Sequence, residues 1–476
     1  MPRTIKIFAV LLLATLSTTA RAQSAGGYAQ SFKAYRDSVM AGYRDFRDGI
    51  LSDYASFLDS AWSAYEAFSG VPVPTRPKPP APPEAPPQYT PPAEPTPVVV
   101  PAPKPQPVPP APSPKPPSPP APPPSSDGVA VHLYGLTVML PPLNTNPATL
   151  NGTLAEQFAA LAESGVEQAA EAIGRQARLY SLGDWGAYML ARRYSETVAP
   201  GNDNISAMLQ TQLMMLLGYK VTLARAENNL VVLLCFEQDV YSQSFVKIDG
   251  QKFYIYPKSA KGRVSVPSKA NLQGRPINLV MTSGVRLPMD AKPFSLKYGN
   301  IAIGGNVNRN VIRMIDDYPH MDISGHAATV FDAGLRESVM GQIARQIDVG
   351  QPLKAANDML HFTQLAFPYK TDNEQFGHEK YFFFEELLYY PYSDCEDRSV
   401  FFANLVRHLL GYDVVLLGLP NHEATAVATP FDPPKRNYVL NIGNSRFFVC
   451  DPTYMHADVG MMHQDYFNAK LEVHEW

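Results

Sequence analysis

The chain has 476 residues, a net charge of −4 and a pI near 6.2, with 45% hydrophobic and 11% aromatic residues. That is length for two or three domains with sizeable cores, and the charge balance offers no basic stripe of the kind nucleic acid requires. Its 47 prolines are the compositional outlier, and they are clustered.

The first 22 residues read as a secretory signal: Arg3 and Lys6, an apolar run from Ile7 to Leu16, then Ala20-Arg21-Ala22 as a small-x-small cleavage site. The run is too short to span a bilayer, and no later segment approaches the ~18 apolar residues a span needs. No cysteine stands near the cleavage site to carry a lipid. An exported chain (periplasm, cell surface or secreted) with no membrane span after signal removal is expected.

Within the segment 23–70, aromatic or apolar residues fall at Phe32, Tyr35, Val39, Tyr43, Phe46, Ile50, Tyr54, Phe57, Ala61, Tyr65 and Phe68, in steps of 3, 4 and 4. An 11-residue period predicts a long single helix over 28–68 with one aromatic face. One helix cannot bury such a stripe, so it needs a partner: a second copy, another protein or the globular body. Interspersed Arg-Asp pairs argue against a polybasic membrane-surface helix.

Residues 71–124 hold 28 prolines in 54 positions. Such a segment predicts a polyproline spacer over 71–127, about 3.1 Å per residue and so roughly 170 Å when extended, separating the helix from the globular remainder of the chain.

From Val129 the composition becomes globular. A strand is predicted at 129–140, helices at 154–194 and 207–217, and strands at 220–224, 230–236 and 252–256. Helices come next at 335–347, 353–365, 380–388 and 396–410, then strands at 413–418, 424–429, 438–442 and 446–450. Leu217-Gly218-Tyr219-Lys220-Val221 matches Leu410-Gly411-Tyr412-Asp413-Val414 at an offset of 193, with the same helix before and the same strand set after. Setting Pro257 on Pro452 aligns the later strands. The body therefore reads as two α+β units, 128–293 and 294–476.

The three cysteines, Cys235, Cys395 and Cys450, are too few for a disulfide scaffold, and an odd count leaves a thiol free unless it pairs between chains. Cys235 lies in an apolar run, and Cys450 adjoins Asp451 on a strand, so its side chain should face away if Asp451 faces in. Cys395 stands apart. Ser393 and Glu396 have capping-box spacing and Gly411 sits where a C-terminal cap belongs, which puts Cys395 in the first turn of a helix. There the helix dipole should lower a thiol's pKa. His422 opens a later strand and Asp451 ends another, so nucleophile, base and orienting carboxylate can meet at one sheet edge.

Asp394-Cys395-Glu396-Asp397 before a helix, Leu-Gly-Tyr closing it, Asn421-His422-Glu423 and Val449-Cys450-Asp451-Pro452-Thr453 together resemble the transglutaminase-like superfamily, over roughly residues 353–454. Ser393 stands where many relatives carry glycine. The resemblance implies a papain-type Cys-His-Asp core, and carries Gln364, in Phe362-Thr363-Gln364, as an oxyanion donor. The unit 294–476 then has an intact triad. In 128–293 the matching positions are Asn202, Asn229 and Tyr256, which makes that unit degenerate.

The expectation is an exported thiol-dependent hydrolase or acyltransferase acting on peptide or glutamine-type amides through Cys395, His422, Asp451 and Gln364. Its partners would be a peptide or protein substrate and whatever residues 28–68 dock to. The alternative is a non-catalytic binding or assembly scaffold of the same fold docking through its N-terminal helix. No cofactor is expected. Met455, His456, Met461, Met462 and His463 could form a soft-metal site, but read better as a packed C-terminal helix. Zinc on Cys395, His422 and Asp451 lacks a close ligand pair.

Overall fold

Tyr54 shows where the end of the aromatic stripe goes. The computed structural model describes residues 50–60, 62–74, 78–79, 81–86, 98–100 and 128–476, apart from 258–262 and 268–271. The expected signal, the stripe from Phe32 to Phe46 and the spacer over 101–127 lie outside the described residues. Residues 53–58 are helical. The buried Tyr54 hydroxyl bonds Thr222 Oγ1 at 2.8 Å and accepts from the Leu223 N–H at 2.8 Å, so this position packs on its own chain's body.

The helix does not reach Phe68. Trp62–Glu66 is instead a strand (β1), antiparallel to Arg263–Pro267. That edge would otherwise present unpaired N–H and C=O groups, and pairing outweighs the helical periodicity. Nor is the proline-rich segment a free spacer throughout. Val73 is buried, the Ser242 N–H donates to Val71 O at 2.6 Å, and Val98–Val100 (β2) pairs in parallel with Val439–Ile442.

The first half of the body begins with a hairpin of Val129–Leu133 (β3) and Leu136–Leu140 (β4). The predicted single strand breaks at Tyr134-Gly135, both at positive φ, as a two-residue hairpin turn requires. The predicted helix over 154–194 is three helices: Leu154–Ala162 (α1), Val166–Leu179 (α2) and Gly183–Val198 (α3). Gly165 and Gly183, both at positive φ, stand at the two breaks. Asp203–Leu216 (α4) then packs on a sheet built from Val221–Ala226 (β5), Asn229–Leu234 (β6), Phe245–Ile248 (β7), Gln251–Tyr256 (β8) and Arg263–Pro267 (β9). Its strand order is β1-β9-β5-β6-β8-β7. Val231, Leu233, Cys235, Phe253 and Ile255 form the core of this sheet, so Cys235 is a core thiol as expected.

The second half opens with the hairpin Ala291–Tyr298 (β10) and Ile301–Asn308 (β11), then the helices Arg309–Asp316 (α5), Ile323–Ala328 (α6) and Ala333–Ala344 (α7). The expected unit boundary at 293 falls inside β10. Pro352–Ala366 (α8), Asp372–Phe376 (α9), Phe384–Tyr389 (α10) and Cys395–Leu410 (α11) lead to Val414–Leu419 (β12), His422–Val427 (β13), Val439–Ile442 (β14), Ser445–Cys450 (β15) and Glu472–His474 (β16). The sheet order is β16-β12-β13-β15-β14-β2. The described residues from Asp53 to Trp476 group as one compact body. The class is mixed α+β, and among the described residues no helix is long and apolar enough to cross a membrane.

The two sheets share an internal order, β5-β6-β8-β7 against β12-β13-β15-β14. Ala226 pairs with Asn229 as Leu419 pairs with His422, which keeps the offset of 193. One position is corrected. Val232 faces Tyr256 where Thr425 faces Cys450, so the third strand has slipped by one residue. Pro257, not Tyr256, stands at the place of Asp451.

Candidate active site

Cys395 is the first residue of α11. The helix is capped one residue later than the spacing predicts: the Asp394 N–H donates to Asp397 Oδ2 at 3.1 Å, while Ser393 Oγ accepts from Arg398 Nε at 3.1 Å. Gly411 closes the helix at φ 68°. Because α11 is buried from Cys395 to Val406, it lies against β12 and β13, and Ser399 Oγ fastens its first turns to Glu423 O at 3.3 Å. That contact sets the start of β13, and therefore His422, beside the helix N-terminus.

His422 and Asp451 meet as expected. His422 Nε2 lies 2.7 Å from Asp451 Oδ2, with both side chains buried. Asp451 Oδ1 accepts from Thr453 N–H at 2.9 Å, Thr453 Oγ1 at 2.9 Å and Tyr454 N–H at 3.0 Å. Burial alone would raise this carboxyl; the His422 charge and hydrogen bond and the Thr453 donors hold it below the usual carboxylate value. Tyr466 stacks on the imidazole, centroids 5.2 Å apart at 15°. Cys450 is buried and free, and burial pushes its thiol well up.

The Cys395 thiol departs from expectation. It is only 2% exposed and donates to Glu396 Oε2 at 2.9 Å. Burial first, then the Glu396 carboxylate, push it well above the ordinary thiol value, outweighing the helix terminus that should lower it. The reason is a cluster that no local spacing announces. Lys78 Nζ, its side chain 4% exposed, reaches Glu379 at 2.7 Å, Asp394 at 2.7 Å, Asp372 at 3.9 Å and also Glu396. Burial and mutual repulsion raise Asp372 to about 9 and Asp394 to about 7; burial and the contact with Glu396 raise Glu379 to about 8. Against its own burial, Glu396 is held low by Lys78 and by donors from Glu379 and Cys395. Asp372, Asp394 and Glu396 are the one group among the described residues with metal-ligand spacing, and the ammonium of Lys78 stands among them.

Gln364 is in the right place with the wrong bonds for an oxyanion donor. Its Nε2 donates to Asp451 O at 3.0 Å and Ala457 O at 3.1 Å, and its Oε1 accepts from the His456 N–H at 3.0 Å. Both amide protons are used, so Gln364 positions the loop that carries Asp451. Arg398, which no sequence motif marks, ties this to α11: Nη1 donates to Gln364 O at 3.1 Å and Nη2 to Phe367 O at 2.6 Å. The expected C-terminal helix over Met455–His463 is irregular chain; Met462 belongs to the sheet core, and Met461 packs with Tyr454, Ala457 and Ala85.

In the first half Asn202 caps α4, accepting from the Ile205 N–H at 3.1 Å. Between α4, β6 and Pro257 lies a cavity of about 470 Å³ lined by Tyr188, Arg192, Gln210, Asn229 and Tyr256. By helix, strand and register this is the counterpart of the Cys395–His422–Asp451 locus. Lys78 was legible only indirectly: Asp372, Glu379, Asp394 and Glu396 border apolar segments, and buried carboxylates require a cation or protons. No family model, curated protein or solved structure matches this chain.

Proposed function

We propose that the chain is an exported thiol-dependent hydrolase or acyltransferase of transglutaminase-like type, its body built from a degenerate unit followed by one with a complete triad. The buried His422–Asp451 pair at 2.7 Å, on the strand packed against the helix that begins with Cys395, carries this reading. Asp451 holds the Nε2 proton of His422, which leaves proton transfer with the thiol to Nδ1. Cys395 attacks an amide carbonyl as the thiolate. His422 takes the proton and returns it to the leaving amine, and the Cys395 backbone N–H at the helix terminus receives the oxyanion. Gln364 positions Asp451 instead of binding the oxyanion. Water as acceptor gives hydrolysis; an amine gives cross-linking.

The test is the pH dependence of iodoacetamide alkylation at Cys395 in the full chain, with His422→Ala beside it. A rate that falls, with a changed pH profile, in His422→Ala supports the pair. A profile identical in both proteins overturns it.

A second reading has its own support. The buried thiol, pushed well above its ordinary pKa by burial and Glu396, and the engaged Gln364 suit a binding or assembly scaffold of the same fold, in which the pair is structural. The same alkylation series separates the two readings.

A further inference from the structure

We propose that Lys78, with the proline-rich segment that carries it, is a resident plug of the Cys395 site, latched into place by its ammonium and withdrawn when the site opens. The inference rests on the proposed function only in taking Cys395 as the group that is covered.

Three observations carry it. The first is the occupant: an ammonium more than 290 residues away in sequence sits among Asp372, Glu379, Asp394 and Glu396, and one of these carboxylates, Glu396, accepts the Cys395 thiol. The second is how the segment is held. Proline has no N–H to give, so each proline of this stretch can only accept backbone bonds. Close to Lys78, the Ala85 N–H donates to Met455 O at 2.8 Å, the Met455 N–H donates to Pro83 O at 2.9 Å and Tyr369 Oη donates to Pro79 O at 3.2 Å; farther along, Val71 and Val98–Val100 also bond the body. Met455 lies just beyond the loop that holds Asp451, so the segment touches both sides of the site. Beside these backbone bonds, the Lys78 side chain is the charged anchor of the segment. The third is the counterpart in the first half, where the same place in the fold is an open cavity of about 470 Å³. The fold leaves a cleft at this locus in the first half, and in the second half the Lys78 ammonium lies on Asp394 and Glu396 at the start of the matching helix.

A buried ion pair adds little net stability against a well-packed apolar alternative, yet removing one partner strands the others. A lysine in a carboxylate cage therefore holds firmly while seated and leaves charges that a competing cation or protons must satisfy once it departs. That is how a latch behaves, whereas a permanent strut is better built from apolar contacts.

The experiment uses the full chain with Lys78→Met, His422→Ala and the double variant. Iodoacetamide alkylation is followed separately at Cys235, Cys395 and Cys450 by peptide mass spectrometry. The plug predicts that Lys78→Met speeds alkylation of Cys395 by about ten-fold or more, as local opening would, with or without His422→Ala. Cys235 and Cys450 stay protected. A Cys395 rate unchanged by Lys78→Met, with the other two thiols still protected, overturns the proposal. If all three thiols accelerate together, the substitution has loosened the fold, and Ala85→Pro decides. That variant removes the N–H bonded to Met455 O but keeps Lys78 and its cage. Faster alkylation confined to Cys395 supports the plug; no change overturns it. The effect of His422→Ala is read independently, so the failure of the catalytic reading is distinguishable from the failure of the plug.

Discussion

Asp451 works with both of its oxygens, one for His422 and one for the turn at Thr453 and Tyr454. Asp451→Asn keeps the shape but loses the charge that orients the imidazole. It should cost about 1–3 kcal/mol of stability and remove any His422-dependent part of Cys395 reactivity, read by urea unfolding and by alkylation. The sign with pH comes from the lowered carboxyl: its stabilisation is complete above the ordinary value of 3.8 and is lost as pH falls through the lower folded value. In Asp451→Asn this acid-side loss should shrink. Glu396 acts in the opposite sense on Cys395. Glu396→Gln removes the adjacent negative charge, and the alkylation profile of Cys395 should move to lower pH; an unmoved profile would deny Glu396 that role. The residue chemistry of Cys395, His422 and Asp451 was legible because each sits at the end of an element whose bounds the local sequence marks. Gln364 was placed correctly but misassigned, since the direction in which an amide spends its protons depends on Asp451 and Ala457, residues it meets only in the fold.

At the scale of elements, the two halves obey the same local rules. Gly218 and Gly411 both close their helices at positive φ, 85° and 68°, with nothing within 4 Å of an added Cβ. Replacing either by alanine should therefore cost only the left-handed backbone strain, about 1 kcal/mol, and similar amounts at both sites, measured by thermal unfolding. Unequal losses would mean that the two helix ends are not equivalent. Tyr54→Phe strands the buried Leu223 N–H of β5 and should cost about 1–2 kcal/mol in the same measurement. Here the sequence misled in several places, of which two show why. The aromatic period continues through Tyr65, but a sheet edge at β9 takes those residues as a strand. The alignment of Tyr256 with Asp451 rested on matching prolines, whereas hydrogen-bond register sets Tyr256 opposite Val232 as Cys450 stands opposite Thr425.

The whole molecule stores a further pH response away from the thiol. His326 is buried against Phe383 at 4.2 Å and beside His320, and burial lowers its pKa to about 4 and that of His320 well below the ordinary value. Unfolding releases both to titrate normally. Stability should be full above pH 6.5 and fall as pH drops toward about 4, because the unfolded chain binds the protons first. His326 alone contributes roughly 3 kcal/mol across that window. Unfolding free energies between pH 7 and 4 check this, and a flat curve would contradict it.

By itself, the sequence determined the mixed α+β class, many of the helices and strands, the core position of Cys235 and the meeting of His422 with Asp451. These come from periodicity, caps and breaks, which act over a few residues and are written locally. Only the tertiary structure decided that the aromatic stripe ends in a strand, that part of the proline-rich segment lies on the body, and that Cys395 is buried against Glu396, which Lys78 also reaches. Those outcomes depend on contacts such as Lys78 to Asp394, 316 residues apart. Burial, not spacing, sets the energy of such a contact, and burial exists only once the chain has folded.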